Sequence, residues 1–126
     1  MEERKFYICR KCGNIVGLIH DSKVEINCCG QPMEQLVPGS VDASVEKHVP
    51  HVAVNGDVIE VQIGSTLHPS IDTHWIPWVY LQTEKGGQRK NINPGEEPKV
   101  AFKLIDDKPV RVYAYCNLHG LWVKDI

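Results

Sequence analysis

Four cysteines, Cys9, Cys12, Cys28 and Cys29, constrain the first third of this chain more than any other feature. Cys9 and Cys12 form a Cys-x2-Cys pair, and fifteen residues later Cys28 and Cys29 stand side by side. A disulfide between neighbours requires strained geometry, and Cys116 makes the thiol count odd. Four thiolates in two groups instead match the donors of a tetrahedral all-sulfur metal site. Glycines follow at once, Gly13 and Gly30, as in a metal knuckle whose tight turns aim backbone N–H groups at sulfur. Two short ribbons, residues 6–8 and 24–27, lead into the two cysteine groups. A module of residues 1–37 is too small to bury a sufficient core, so a metal is its expected staple. The spacing accepts zinc or iron. Zinc ribbons are the commoner occupants, whereas adjacent cysteines should distort the tetrahedron.

Pro38-Gly39-Ser40 interrupts the pattern, and residues 38–45 read as a linker to a second domain, residues 46–126. Short apolar stretches alternate there with turn signals. Residues 52–54 meet Asn55-Gly56, a hairpin signal, and residues 58–63 follow with partial alternation. Further stretches cover residues 75–81, 100–105 and 110–115, separated by Lys85-Gly86-Gly87, Asn93-Pro94-Gly95 and Asp106-Asp107-Lys108-Pro109. No segment of ten residues has a helical period, so the expectation is a mainly β chain ending in an antiparallel β-sandwich.

The second domain carries His48, His68, His74, Cys116 and His119, all expected at turns or strand ends. Loops at one end of a sandwich can converge on one point. Four imidazoles and one thiolate would make a five-coordinate site with an open sixth position, suited to a redox transition metal. Taken singly, a histidine in a β protein is more often a surface or satisfied core residue than a ligand. The Cys116-x2-His119 pair shifts that balance, because one short loop can present both side chains to one ion. His20 and His51 are needed for neither site and are read as non-ligands.

The formal net charge is −2, which excludes the basic footprint of a nucleic-acid binder. The start, Met-Glu-Glu-Arg-Lys-Phe-Tyr, has no apolar leader, and the longest apolar run falls far short of the roughly 20 residues of a membrane span. The expectation is a soluble, cytoplasmic protein whose thiols stay reduced.

These motifs resemble the desulfoferrodoxins, the two-iron superoxide reductases. The resemblance rests on Cys9-x2-Cys12-Gly13-Asn14-Ile15-Val16 with Cys28-Cys29-Gly30, on Glu46-Lys47-His48-Val49-Pro50, on His68-Pro69 and His74-Trp75, and on Tyr115-Cys116-Asn117-Leu118-His119-Gly120. It runs over nearly the whole chain, with no expected ligand missing. It implies a distorted tetrahedral iron on the four cysteines of a desulforedoxin-like module. It implies a second iron in an immunoglobulin-like sandwich, with His48, His68, His74 and His119 equatorial and Cys116 axial. The implied reaction is one-electron reduction of superoxide to hydrogen peroxide. Lys47 would guide the anion, and Glu46 would close the sixth position of the oxidised site. A homodimer and rubredoxin or a similar donor are implied partners. His51, in Pro50-His51-Val52, departs from the more apolar stretch expected of the family. A non-enzymatic two-iron electron carrier is the alternative, as is a zinc-ribbon interaction module on a sandwich with incidental histidines. The open coordination position argues against the carrier, and visible colour separates iron from zinc.

Overall fold

The computed structural model describes residues 2–126, which are mainly β with one four-residue helical turn. The chain divides into two compact units, the first ending at Val37 and the second spanning Pro38–Ile126.

The first unit has five short strands: β1 (Phe6–Ile8), β2 (Ile15–Gly17), β3 (Asn27–Cys28), β4 (Gln31–Pro32) and β5 (Glu34–Gln35). β1 lies between β2 and β5, and β3 pairs with β4, all antiparallel. Alternation along β1 buries Phe6 and Ile8, which with Cys9, Met33 and Leu36 are this unit's only fully buried apolar residues among those described. The second ribbon is shorter than the sequence suggests. Only Asn27 of residues 24–27 is in a strand, since the partner strand β4 is two residues long, and Val24 is exposed.

The second unit opens with α1 (Val45–His48) and continues through β6 (Pro50–Asn55), β7 (Val58–Ile63), β8 (Trp78–Thr83), β9 (Gly87–Asn91), β10 (Lys99–Lys103), β11 (Pro109–Cys116) and β12 (Gly120–Asp125). The sheets run in the orders β10-β7-β6 and β12-β11-β8-β9, antiparallel throughout, as the two layers of an immunoglobulin-like sandwich. Ile59, Val61 and Ile63 of β7 face Val79 and Leu81 of β8 and Val112 and Ala114 of β11 in one continuous core. The β6–β7 turn is Gly56-Asp57, since Asn55 pairs with Val58, and Gly56 takes the positive φ of 64° that such a turn requires. The apolar run at residues 75–81 becomes strand only from Trp78.

In the second unit two strands were not anticipated, and in the first β2, β4 and β5 were not. β9, Gly-Gln-Arg-Lys-Asn, is an edge strand with no fully buried residue and so carries no apolar alternation. β12 does carry an apolar signal in Leu121-Trp122-Val123, and it completes the sheet by pairing with β11 from Arg111↔Asp125 to Cys116↔Gly120.

Candidate metal centres

Turn geometry alone builds the first cluster. Gly13 N–H donates to the Cys9 carbonyl (2.8 Å) and Cys9 N–H to the Asn14 carbonyl (2.9 Å), closing the knuckle. Gly13 (φ 85°), Cys29 (φ 54°) and Gly30 (φ 75°) supply left-handed backbone at both turns. The sulfurs of Cys9, Cys12, Cys28 and Cys29 consequently lie within 4.8 Å of one another. Asn14 reaches two of them, by its backbone N–H to Cys12 Sγ (3.5 Å) and its side-chain amide to Cys28 Sγ (3.7 Å). Backbone N–H groups, Cys12 first and then Lys11, draw the Cys9 thiol down to about 6, while the crowding sulfurs, Cys12 before Cys9 and Cys28, push Cys29 up to about 12. Four sulfurs contending for protons at this spacing suit one cation that replaces those protons.

The second cluster draws on three parts of the sandwich. Strand alternation along β11 puts Cys116 on the same inner face as Val112 and Ala114, so its thiol closes one end of the core with no exposure. The β11–β12 turn then brings back His119, whose Nδ1 is 3.8 Å from Cys116 Sγ. α1 is held against the loop after β7, where Thr66 N–H and Ser65 Oγ–H both donate to the Glu46 carbonyl (3.1 and 3.3 Å). Gly64 (φ 82°) is required at that crossing, because a Cβ there would stand 2.7 and 2.8 Å from the carbonyl oxygens of Lys47 and Glu46. This clamp sets His48 beside His68, with ring centroids 4.7 Å apart.

Donor atoms of His48, His68, His74 and Cys116 lie within 4.8 Å of one another, and His119 Nδ1 is 3.1 Å from His48 Nε2. All five residues singled out in the second domain thus converge. His51 instead lies exposed on β6 opposite Gln62, and His20 is exposed in the first unit. Glu46 and Lys47 are exposed on α1.

The donor set fits a metal ion. His48 Nδ1 bonds the Ser44 carbonyl (2.6 Å) and His68 Nδ1 the Pro69 carbonyl (2.7 Å), which fixes the proton on Nδ1 and leaves each Nε2 lone pair free. His68 Nε2 faces Cys116 Sγ at 3.3 Å, and His74 Nε2 is buried with no partner. Burial lowers the pKa of His48, His74 and His68, the last to about 4, so the rings are neutral ligands at pH 7. Lys47 adds a smaller lowering at His48 and His74, so its charge is felt at the cluster. Burial raises the Cys116 thiol, opposed by the N–H groups of Leu118 and His119 at its sulfur. A cation relieves this by binding the thiolate that those N–H groups already favour.

Sequence reasoning missed three supports. Trp122 stacks on His48 (centroids 5.0 Å, 26° between planes) and donates its indole N–H to the His119 carbonyl (3.0 Å). Asn117 bonds the chain on both sides of His74. The Ser44 carbonyl orients His48. Only Asn117 carried a signal, as a side chain prone to bonding backbone within a loop already marked by two ligands.

Two family models match this chain: desulfoferrodoxin, N-terminal domain, over residues 1–36, and desulfoferrodoxin over residues 40–125. A desulfoferrodoxin of Syntrophotalea carbinolica is 43% identical over 124 residues, 98% of each chain. A desulfoferrodoxin homolog of Archaeoglobus fulgidus is 40% identical over 121 residues, 96% of each chain. The crystal structure of the superoxide reductase from Treponema pallidum superposes with a TM-score of 0.84 at 34% identity, covering 98% of this chain and 100% of that one.

Proposed function

This chain belongs to the desulfoferrodoxin family, and from that premise we propose that it reduces superoxide to hydrogen peroxide at the cluster of His48, His68, His74, Cys116 and His119. The observation that carries this is the convergence of four imidazoles and one buried thiol on one another. The protein is an oxidoreductase with two non-haem irons. One iron belongs to Cys9, Cys12, Cys28 and Cys29, and the other to the imidazole–thiolate cluster.

When bound in the second cluster, iron supplies the one-electron reduction: superoxide, one electron and two protons give hydrogen peroxide. The protein's part is to prepare that cluster. Neutral imidazoles leave the cation's positive charge uncancelled except by Cys116, which favours an anionic substrate. Cys116 is a soft, strongly donating ligand, and the Leu118 and His119 N–H groups hold its charge in place. Ser44, Pro69 and Trp122 fix the rings, so little rearrangement accompanies the change in charge.

Lys47 is the steering charge in this reading. The chain is mildly acidic overall, so attraction of an anion has to come from local charge, and Lys47 is both exposed and adjacent to His48. Glu46 is the carboxylate available to the oxidised site, on the same exposed turn. Among the described residues no helix is long and apolar enough to cross a membrane. A cytoplasmic homodimer fed by rubredoxin or a similar one-electron donor, acting in superoxide detoxification, completes the reading. It is supported by the family resemblance and by five free thiols that suit a reducing compartment.

The reduced protein, mixed with superoxide, should give one peroxide per superoxide consumed and evolve no dioxygen. Cys116→Ser should lose both this reaction and the thiolate-to-iron visible band of the second site. Dioxygen release at half the superoxide consumed would mean dismutation and would overturn the assignment.

A further inference from the structure

His48 and His68 are each tethered through the second ring nitrogen to a main-chain carbonyl. Among the described residues His74 has no such tether, although its Nε2 is buried and aimed into the cluster. Its aim must come from the chain around it. On one side Ile71 and His74 exchange two backbone hydrogen bonds of 3.0 Å, closing a tight turn. On the other side stands Asn117, between Cys116 and His119. Its Oδ1 accepts the Trp75 N–H (3.0 Å), its Nδ2 donates to the Thr73 carbonyl (3.0 Å), and its own N–H donates to the Trp75 carbonyl (3.3 Å). The two side-chain bonds fix the amide in one orientation, since only oxygen can face the Trp75 N–H and only nitrogen the Thr73 carbonyl.

We propose that Asn117 is the positioning residue for His74: its amide clamps residues 73 and 75 to the Cys116–His119 loop and thereby sets the His74 imidazole against the other ligands. The clamp does through the backbone what ring-to-carbonyl bonds do for His48 and His68. It also ties the His74 segment to the loop bearing Cys116 and His119, so three of the five donors are registered by one side chain. Supports of this kind are worth about 10–100-fold in metal affinity. The proposal rests on the reading of His74 as a ligand.

The test is retention of iron by the full-length protein against a competing chelator, read at each site from its own visible absorption. The variants are Asn117→Ala, Asn117→Asp, His74→Ala and the Asn117→Ala/His74→Ala pair. Asn117→Ala should weaken the second iron about 10–100-fold while the four-cysteine iron is held as in the wild type, and wild-type amide-exchange protection of β7, β8 and β11 shows the second unit to be folded. Asn117→Asp keeps the acceptor for Trp75 and loses the donor to Thr73, so its loss should be intermediate. In the double-mutant cycle the Asn117 effect should vanish once His74 is gone, a result that a general loosening of the loop does not give. An equal Asn117 effect in the His74→Ala background, or no effect in Asn117→Ala, overturns the proposal. Wild-type retention in His74→Ala would instead overturn the ligand assignment beneath it.

Discussion

The two units solve the same problem, gathering donors around a cation, by opposite means. In residues 2–37 the donors are the structure: beside four sulfurs stand only four other buried apolar residues, Phe6, Ile8, Met33 and Leu36, among those described, and two of the sulfurs, on Cys12 and Cys29, lie on exposed turns. In residues 38–126 eleven buried residues besides Cys116 pack into one core between the sheets, and the donors sit at its end, with His48 and His68 each aimed by a main-chain carbonyl. A chain too short to bury a core spends its chelating side chains on folding, whereas one with a core can hold a site whose arrangement is set in advance. The first arrangement makes the donors part of a small fold, and the second sets them at the end of a packed core.

The sharpest way to break this contrast is to strip both metals. Without them the first unit should lose its strand pairing and become open to amide exchange throughout, while β7, β8 and β11 keep their protection, because their stability comes from Ile59, Ile63, Val79 and Val112. Hydrogen exchange followed by mass spectrometry reads both units in one experiment. Equal protection before and after removal would show that the first unit does not depend on its metal.

A smaller effect separates the two charges beside His48. Lys47→Ala should slow the bimolecular reaction with superoxide by about tenfold and flatten its dependence on ionic strength, since steering is a screened, long-range effect on rate. Glu46→Ala should leave that step nearly unchanged and alter instead the spectrum and anion affinity of the oxidised site. Pulse radiolysis across a salt series distinguishes them, and a wild-type rate and salt slope in Lys47→Ala would place the steering charge elsewhere.

The smallest expected effect lies in the first unit's ion cluster. Asp21 accepts from Lys5 (2.8 Å), from the Lys23 backbone (2.8 Å) and from Lys23 Nζ (3.2 Å), and these bonds, Lys5 foremost, hold its carboxyl well below the usual range. A carboxyl depressed in the folded state stabilises above its unfolded pKa of about 3.9, and the contribution fades as pH falls through that value toward the folded one. Asp21→Asn should therefore lower the melting temperature of the metal-loaded protein slightly at pH 7, and the difference should shrink on titration below pH 4. A difference that grows with acid would contradict this sign.

Both clusters were legible in the sequence for unequal reasons. Adjacent thiols and Cys-x2-Cys followed by glycine announce a site from local spacing alone. His48, His68 and His74 announce nothing singly, and it took the Cys116-x2-His119 pair and the family resemblance to gather them. β9 was illegible because an exposed edge strand carries no apolar alternation. Trp122 was illegible as a support because nothing local links it to His48, seventy-four positions away in the chain yet stacked on it. The Asn117 clamp depends likewise on a contact over forty-two positions, to Trp75.

The division of labour between the two units is tested most directly by removing one metal and timing the other. Cys12→Ser takes a sulfur from the first cluster and leaves the sequence of residues 38–126 unchanged. Metal analysis of the purified variant should find one iron per chain, and pulse radiolysis of its reduced form should give the wild-type rate constant with superoxide. A variant that still carries the second iron yet no longer reduces superoxide would contradict the account, since the four-cysteine centre would then be a required part of the reaction and not a staple beside it.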